Sequence, residues 1–534
     1  MTGLLAAYVF LVGLAALHAG HRLWLLVLYL RHRQGAPRPP LPAELPRVTV
    51  QLPVFNERDV VERLVNAVAA LEWPVERLEI QLLDDSTDDT GQRAEPALEA
   101  ARARGISVTH LRRTDRSGFK AGALAAGMTV ASGDLIAIFD ADFVPSPDFL
   151  RSLVPWFGDP RVGMVQARWE HLNPRASLLT RAQAALLDGH FLVEHTARHR
   201  SGRWFNFNGT AGIWRRTCIT DVGGWRADTL TEDLDLSYRA QLAGWRFVYD
   251  ADHVVPAELP ERLSAFRSQQ HRWAKGSIEV ARKLLRPIAG AREFPLGVRL
   301  EAAAHLTANL SWPFGLALAV LLPVLTLAAP DVAPASWAPL MGATTLVNLG
   351  FYVVATRGRP ADVLLAVLLG LGLAVNQTLA VAEGLVGRTT PFVRTPKSGG
   401  GAGSYRLNQV GPVPAELALA ALALVAIPSA GGAAPFLALF VLAFGAAGLG
   451  GAWRLQPHGP QSSRARPRSP ASTMPLPSTS AGHGVPHGPI SRSRIAMSPP
   501  SIARLPSRSA AHPLRSTDRK STRLNSSHSS VSRM

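Results

Sequence analysis

Cysteine is almost absent from this sequence, which holds Cys218 alone among its 534 residues. A single thiol can form neither an intramolecular disulfide nor a zinc site with several thiolate ligands. Also lacking is a G-x-G-x-x-G motif at the start of the first helix after a predicted strand, which disfavours a dinucleotide-dependent oxidoreductase.

Acidic residues are nearly missing from the C-terminal end. Residues 455–534 carry 12 Lys and Arg against the single acid Asp518, a net +11 of the +17 for the whole chain. The other 454 residues then carry only +6, which suits a protein beside anionic lipid, and we expect no nucleic-acid partner. The segment is rich in Ser, Arg and Pro and has no apolar periodicity, so we interpret it as a disordered tail that is partly non-native.

Long apolar runs, by contrast, are abundant. Residues 4–30 are apolar apart from His18, His21 and Arg22, and the basic residues 31–33 follow them. A signal peptide has its positive charge before the apolar run, so this order predicts a membrane anchor whose basic end lies in the cytosol.

The C-terminal half contains more apolar spans, at 306–327, 337–354, 415–427 and 435–453. Another apolar stretch, 364–385, carries Asn376, Gln377 and Glu383, and a basic segment follows it. Because basic flanks stay in the cytosol, we expect 364–385 to lie at the membrane interface or to pack on the bundle. The sequence therefore predicts an integral, multi-pass membrane protein with about five spans and a cytosolic catalytic domain, in a bacterial inner or plasma membrane.

Between the anchor and these spans the pattern changes to short apolar strands that alternate with helices. We predict strands at 48–52, 78–83, 106–111 and 135–139, and helices at 59–71, 94–103 and 121–130. Strands separated by helices of this length predict an α/β domain with a parallel sheet covered on both faces. In such sheets ligands bind at the carboxyl ends of the strands.

Two carboxylates, Asp140 and Asp142, follow the strand at 135–139. We predict that the strand presents them at its C-terminal tip and that they point to the same side, because side chains alternate along a strand. Paired carboxylates suit Mg²⁺ or Mn²⁺, which take their remaining ligands from phosphates and water. The alternative interpretation is an Asp-rich turn at the end of the strand.

Asp84 and Asp85 end the second strand, where a carboxylate can accept hydrogen bonds from a ribose or a base; the alternative is a helix N-cap. Thr231, Glu232 and Asp233 open a predicted helix at 234–242, and the alternative is a variant of the capping box.

Gln269 and Arg272 share a helix face, and Trp273 follows them. On the functional interpretation, this helix face contacts a ligand. The alternative is an amphipathic helix at the membrane surface, with Arg and Trp at the lipid headgroups.

These clusters together describe the transfer of a sugar from a nucleotide diphosphate. A metal at Asp140 and Asp142 would neutralise the departing phosphates, and Asp233 would take the proton of the acceptor hydroxyl. Arg272 and Lys120 would hold the diphosphate as charge develops on it, and Asp84 and Asp85 would contact the nucleoside. We expect Gln269 and Trp273 to belong to the same nucleotide-sugar site, and Thr231 and Glu232 to the acceptor region beside Asp233.

The order Asp-Asp, Asp-x-Asp, Thr-Glu-Asp, Gln-x-x-Arg-Trp resembles that of the processive family 2 glycosyltransferases, which include the cellulose, mannan, chitin and hyaluronan synthases. The closer resemblance is to the cellulose-synthase-like A type, the β-mannan or glucomannan synthases. It rests on Phe-Asn-Gly-Thr-Ala-Gly-Ile-Trp-Arg at 207–215, Arg-Trp-Glu-His-Leu-Asn at 168–173 and Gln-Gln-His-Arg-Trp-Ala-Lys-Gly at 269–276. The resemblance implies a GT-A (Rossmann-like) fold, an inverting mechanism with Asp233 as base, and a membrane channel for the growing chain.

Phe392, Thr395 and Lys397 match the F-x-V-T-x-K gating loop of cellulose synthase, whereas Arg394 departs from it. The alternative is a basic connecting loop at the membrane surface.

The expected parts of the chain are an N-terminal transmembrane helix (1–34), a GT-A catalytic domain (47–257), interface helices with the Gln-x-x-Arg-Trp motif (258–300), two transmembrane helices (301–356), an interface helix with the gating-like loop (361–400), two further transmembrane helices (412–454) and the tail (455–534). The expected function is transfer of a hexose from GDP-mannose or UDP-glucose to a β-1,4-linked polysaccharide. The alternatives are a single transfer to a lipid such as diacylglycerol, which would make a glycolipid, and a non-catalytic membrane scaffold.

Overall fold

The computed structural model describes residues 2–329, 338–388 and 413–452. A seven-stranded sheet forms the centre of the domain that follows the first helix, with the strand order β3-β2-β1-β4-β6-β5-β7. The strands are β1 (Val48–Val54), β2 (Leu78–Asp84), β3 (Ser107–Arg112), β4 (Leu135–Ile138), β5 (Val162–His171), β6 (Gly212–Arg215) and β7 (Arg246–Ala257).

The sheet is mixed rather than purely parallel. The four strands predicted from the sequence are confirmed, and β3, β2, β1 and β4 run parallel to one another. β6 is antiparallel to both β4 and β5, so the expectation of a fully parallel sheet is wrong. β6 begins at Gly212, which pairs with Ile138 at the carboxyl end of β4. Because β6 starts at that edge of the sheet, it runs in the direction opposite to β4.

Helices cover both faces of the sheet, as the alternation of strands and helices predicts. Ala137 of β4 packs with the core on one face, whereas Ile136 and Ile138 pack with the core on the other, because successive side chains alternate. The helices of this domain are α2 (Val61–Ala69), α3 (Thr90–Ala103), α4 (Phe119–Val130), α5 (Phe149–Leu153), α6 (Leu178–Asp188), α7 (Thr196–Arg200), α8 (Arg216–Asp221) and α9 (Glu232–Leu242), with a π-helical segment, Gly189–His195, between α6 and α7.

The strand that leads to Asp140 is shorter than predicted. β4 ends at Ile138, and Asp140, Ala141 and Asp142 lie in the turn that follows. Strand alternation therefore does not orient the two carboxylates, and this part of the prediction is wrong. The turn is fixed by two backbone contacts, Asp140 O with Phe143 N at 3.1 Å and a bridge between Phe143 and Ala257.

Helices dominate the remaining described residues. They are α1 (Thr2–Arg31), α10 (Leu263–Gly290), α11 (Leu296–Thr307), α12 (Ser311–Ala328), α13 (Ala338–Ala355), α14 (Pro360–Gly372), α15 (Ala374–Val386), α16 (Val413–Ala426) and α17 (Ala434–Ala452). Within the described ranges three helical stretches are long and apolar enough to cross a membrane: Thr2–Arg31, Leu296–Ala328 and Gly431–Leu449.

The bent pair α14–α15 would make a fourth span if it crosses as one unit. A break of 48° separates its two helices, so the stretch predicted at 364–385 is a broken span or a re-entrant loop rather than one straight helix. The apolar helices Pro339–Ala355 and Pro414–Ser429 are shorter. Three to four spans are thus supported by length and composition, and the expected five remain a prediction.

Phe392, Thr395 and Lys397 of the gating-like loop, and the tail at 455–534, lie outside the described residues.

Candidate active site

A single cavity at the carboxyl edge of the sheet brings together residues from all four sequence clusters. The sequence-predicted residues that line it are Asp85, Lys120, Asp140, Asp142, Thr231, Glu232, Asp233, Gln269, Arg272 and Trp273. They come from the ends of β2 and β4, from the start of α4 and α9, and from the N-terminal half of α10. Segments nearly two hundred residues apart in the chain therefore meet around one space.

The two acids after β2 have different environments. The Asp84 side chain is buried and accepts hydrogen bonds from Ser86 N (2.8 Å) and His110 Nε2 (3.1 Å), and it does not line the cavity. Burial alone would raise the pKa of Asp84, but the hydrogen bonds from His110 and Ser86 lower it. Asp85 lines the cavity and is held by Arg113, whose Nε and Nη2 donate to its two oxygens at 2.7 and 2.6 Å. Of the predicted pair, Asp85 is therefore placed to meet a ligand, and Asp84 stabilises the turn beneath it.

Asp140 is positioned by two neighbouring segments. Its backbone N–H donates to Thr210 Oγ1 at 2.8 Å, and its carboxylate accepts from Lys120 Nζ at 2.5 Å. Lys120 also donates to the carbonyl oxygen of Gly209 at 2.8 Å. Burial alone would lower the pKa of Lys120, but the carboxylates of Asp140, Glu232 and Asp233 raise it, so the side chain is cationic.

The carboxylates of Asp140 and Asp142 fit a divalent cation that shares its ligands with a phosphate. Both line the cavity, and both are hard oxygen donors. Within the described ranges no group of three or more His, Cys, Asp or Glu side chains is arranged to hold a metal ion. An ion at this pair would thus need further ligands from phosphate and water, which is how Mg²⁺ is commonly held.

Asp233, the predicted base, lies at the start of α9 in a confined space. Its Oδ1 accepts from the N–H of Leu234 at 2.8 Å. A Cβ at Gly209 would lie 2.9 Å from its Oδ2, so only glycine fits at that position, where φ is +80°. Burial and the neighbouring Glu232 carboxylate raise the pKa of Asp233 to about 7. A carboxyl group with a pKa near neutrality suits a general base.

α10 supplies a cation and an aromatic ring to the other wall. Burial lowers the pKa of Arg272 to about 10, against the opposing effect of Glu232, Asp140 and Asp233, so the guanidinium remains charged at neutral pH. The ring centroid of Trp273 lies 6.3 Å from that of Trp169, nearly edge to face. Gln269 lines the cavity beside them.

Several lining residues were not singled out as site residues from the sequence. Arg116 lies between β3 and α4, with its guanidinium carbon 3.2 Å from the ring centroid of Phe55. Trp169 and Glu170 end β5, and Asn208 precedes Gly209. The rule that ligands meet the carboxyl ends of strands would have indicated Trp169 and Glu170, had β5 been recognised as a strand.

Three comparisons with known proteins bear on this site. The family model "Glycosyltransferase like family 2" matches residues 46–276. Glucomannan 4-beta-mannosyltransferase 2 of Arabidopsis thaliana is 45% identical over 251 residues, which are 46% of this chain and 47% of that protein. Glucomannan 4-beta-mannosyltransferase 1 of Oryza sativa subsp. japonica is 44% identical over 248 residues, 46% of this chain and 48% of that protein. The chain thus spans about half the length of the curated relatives it matches.

Among solved structures, a mannosyltransferase from Pyrobaculum calidifontis in complex with GDP-Man and Mn²⁺ is similar, with a TM-score of 0.52 and 21% identity over 72% of this chain and 100% of that one. At this identity the likeness concerns the fold, and it supports the predicted GT-A-like α/β domain. The two relatives above are plant proteins, so they give no support to the expected bacterial location. The predicted resemblance is confirmed: residues 46–276 match the model of the family 2 glycosyltransferases, and the chain is related, over about half of its length, to the glucomannan 4-beta-mannosyltransferases.

Proposed function

We propose that this protein is a membrane-embedded, inverting mannosyltransferase that transfers mannose from GDP-mannose to the end of a β-1,4-linked mannan or glucomannan chain. The observation that carries the proposal is the single cavity in which Asp233 shares the space with Asp140, Asp142, Lys120 and Arg272. A base and a set of groups suited to a diphosphate are the two requirements of sugar transfer from a nucleotide diphosphate.

The choice of mannose rests on the relatives, which are named as mannosyltransferases of glucomannan. The fold neighbour was solved with GDP-Man and Mn²⁺, which agrees with this choice. UDP-glucose is the second donor to test, since mannose and glucose differ in the orientation of one hydroxyl group.

In the proposed reaction Asp233 removes the proton from the acceptor hydroxyl as the hydroxyl oxygen attacks the anomeric carbon of the donor sugar. The bond from that carbon to the phosphate oxygen breaks on the opposite face, and the nucleoside diphosphate leaves with the bonding electron pair. Lys120 and Arg272 offset the negative charge that grows on the leaving group. Asp85, fixed by Arg113, would accept a hydrogen bond from the nucleoside.

Asp140 and Asp142 would hold a Mg²⁺ or Mn²⁺ ion together with the diphosphate oxygens. Such an ion neutralises phosphate charge and so stabilises the leaving group.

The long apolar helices support a multi-pass location in the membrane. We place the catalytic domain in the cytosol, where nucleotide sugars are made, because basic residues 31–33 follow the first apolar helix.

The test is a nucleotide-release assay with purified protein in lipid nanodiscs, a panel of GDP- and UDP-sugars, and Mn²⁺ or Mg²⁺. We expect GDP release from GDP-mannose and an alkali-insoluble product that β-1,4-mannanase degrades. Release from UDP-sugars alone would overturn the choice of donor. If the product were only mono- or diglycosylated lipid, the polysaccharide acceptor would be wrong and the single-transfer alternative would replace it.

A further inference from the structure

The strand order places the groups of the cavity in a fixed sequence along the sheet edge. Asp85 follows β2 and Asp140 follows β4, which lies two strands away from β2. β5 lies two strands beyond β4 on the other side, and its carboxyl end carries Trp169 and Glu170. With neighbouring strands about 4.8 Å apart, each of these steps is roughly 10 Å.

The base lies between the second and third of these positions. The segment before β6 runs between the ends of β4 and β5, because Ala211 N donates to Ile138 O at 2.9 Å and Ala211 O accepts from Ala167 N at 3.0 Å. Gly209 belongs to this segment and lies against Asp233. An acceptor hydroxyl that gives its proton to Asp233 therefore reaches it from the β5 side, if Asp85 and Asp140 hold the nucleotide.

The β5 side has a different chemistry from the nucleotide side. The ring centroids of Phe143 and Phe191 lie 5.0 and 4.8 Å from that of Trp169, so the indole is part of a rigid aromatic wall. Its Nε1 is buried and has no hydrogen-bond partner among the described residues.

Glu170 is a polar group beside this wall, and it also lines the cavity. Its side chain is 42% exposed, and Arg168 Nη1 lies 3.5 Å from its Oε2, which restricts the carboxylate. A carboxylate repels an anionic ligand, whereas it accepts hydrogen bonds from sugar hydroxyls. Aromatic rings pack against the apolar face of a hexose, so the pair suits an uncharged carbohydrate.

We propose that Trp169 and Glu170 form the subsite for the terminal hexose of the acceptor, in which Glu170 accepts a hydroxyl hydrogen bond and the Trp169 indole contacts the ring. The proposal rests on the function proposed above and adds acceptor-selecting residues to it. Glu170 touches the acceptor rather than the donor, so its loss should separate the kinetics of the two substrates.

The experiment measures mannose transfer from GDP-mannose to a soluble β-1,4-linked mannohexaose by full-length protein in nanodiscs. It compares Glu170→Gln and Trp169→Phe with the control Glu72→Gln, whose side chain is 57% exposed and lies outside the cavity. For Glu170→Gln we expect the KM for mannohexaose to rise about tenfold, because a neutral amide oxygen accepts a weaker hydrogen bond than a carboxylate does, with the KM for GDP-mannose within about twofold of wild type. Slow hydrolysis of GDP-mannose without acceptor should be unchanged, and it also reports that the variant is folded.

If the KM for mannohexaose stays at the wild-type value in both Glu170→Gln and Trp169→Phe, the subsite is wrong. An equal rise in the KM for GDP-mannose would also overturn it, since Glu170 would then serve the donor. If wild-type protein hydrolyses GDP-mannose but never extends mannohexaose, the proposed polysaccharide acceptor fails instead.

Discussion

At the scale of single residues, the proposed chemistry depends most on Asp233. Asp233→Asn keeps the shape of the side chain and removes its basicity, so we expect the transfer rate to fall by about 10²–10⁴-fold. Binding of GDP should persist, because the groups that would hold the diphosphate are untouched; isothermal titration calorimetry measures it. The control is Asp228→Asn on the loop just before α9, a side chain 55% exposed. If Asp233→Asn transferred mannose at the wild-type rate, the assignment of Asp233 as the base would be wrong.

The raised pKa of Asp233, about 7, gives a second prediction. Only the carboxylate form accepts a proton, so kcat/KM should rise with pH up to neutrality and level off above it. This rising part of the pH profile reports the neighbouring carboxyl groups of Asp233 and Glu232 together, because each affects the protonation of the other. A bound cation favours the charged form of a nearby carboxyl group, so the rising part of the pH profile should move to lower pH as Mn²⁺ approaches saturation. A pH profile that is flat or falls with pH through this range would contradict the assignment.

At the scale of elements, the turn after β4 marks what the sequence could and could not predict. The apolar run at 135–138 predicts a buried strand, and the strand forms. The residue at which the strand ends depends on tertiary contacts between distant segments. Here the contact is the bridge between Phe143 and Ala257. The four-residue strand β6 was missed for the same reason, because its pairing with β4 and β5, rather than a local pattern, defines it.

Helix α10 gives a prediction at this scale. A Cβ at Gly276 would lie 2.5 Å from Thr231 Cγ2, so the glycine lets α10 approach the N-terminal end of α9, which carries Asp233. Gly276→Ala should separate α10 from that end of α9, cost about 1–3 kcal/mol of stability and lower the transfer rate.

Gly290→Ala is the matched control, since Gly290 ends the same helix and has nothing within 4 Å of an added Cβ. That substitution should leave activity unchanged and stabilise by up to about 1 kcal/mol. Thermal unfolding in detergent and the transfer assay measure both variants. Equal unfolding temperatures for the two variants would show that the contact with Thr231 has no structural weight.

At the scale of the whole molecule, the sequence predicts which residues meet in one cavity better than it predicts the membrane part. Asp140 comes to the cavity from the end of a strand and Asp233 from the start of a helix, which periodicity indicates, whereas Arg272 lies inside α10. Which polar groups lie inside a helix bundle is not visible in hydropathy. The polar residues His21 and Arg22 in α1 indicate that this helix packs against others, but not against which; in the structure their partners are Glu301 of α11 and Asn348 of α13.

Glu301 joins these parts, and its loss is the last prediction. Its Oε1 accepts from Arg198 Nε at 3.1 Å and its Oε2 lies 3.0 Å from His21 Nε2, so one carboxylate links α1, α7 and α11. The side chains of Arg198 and Glu301 are 2% and 4% exposed. Glu301→Gln leaves the guanidinium of Arg198 with Glu194 as its remaining carboxylate partner, 3.3 Å away. Breaking a buried pair from one side costs about 3–5 kcal/mol, so the unfolding temperature should fall markedly.

Glu293→Gln, at an exposed position just before α11, should unfold like wild type. If both variants unfold at the wild-type temperature, the buried pair does not stabilise the junction between the first apolar helix and the catalytic domain.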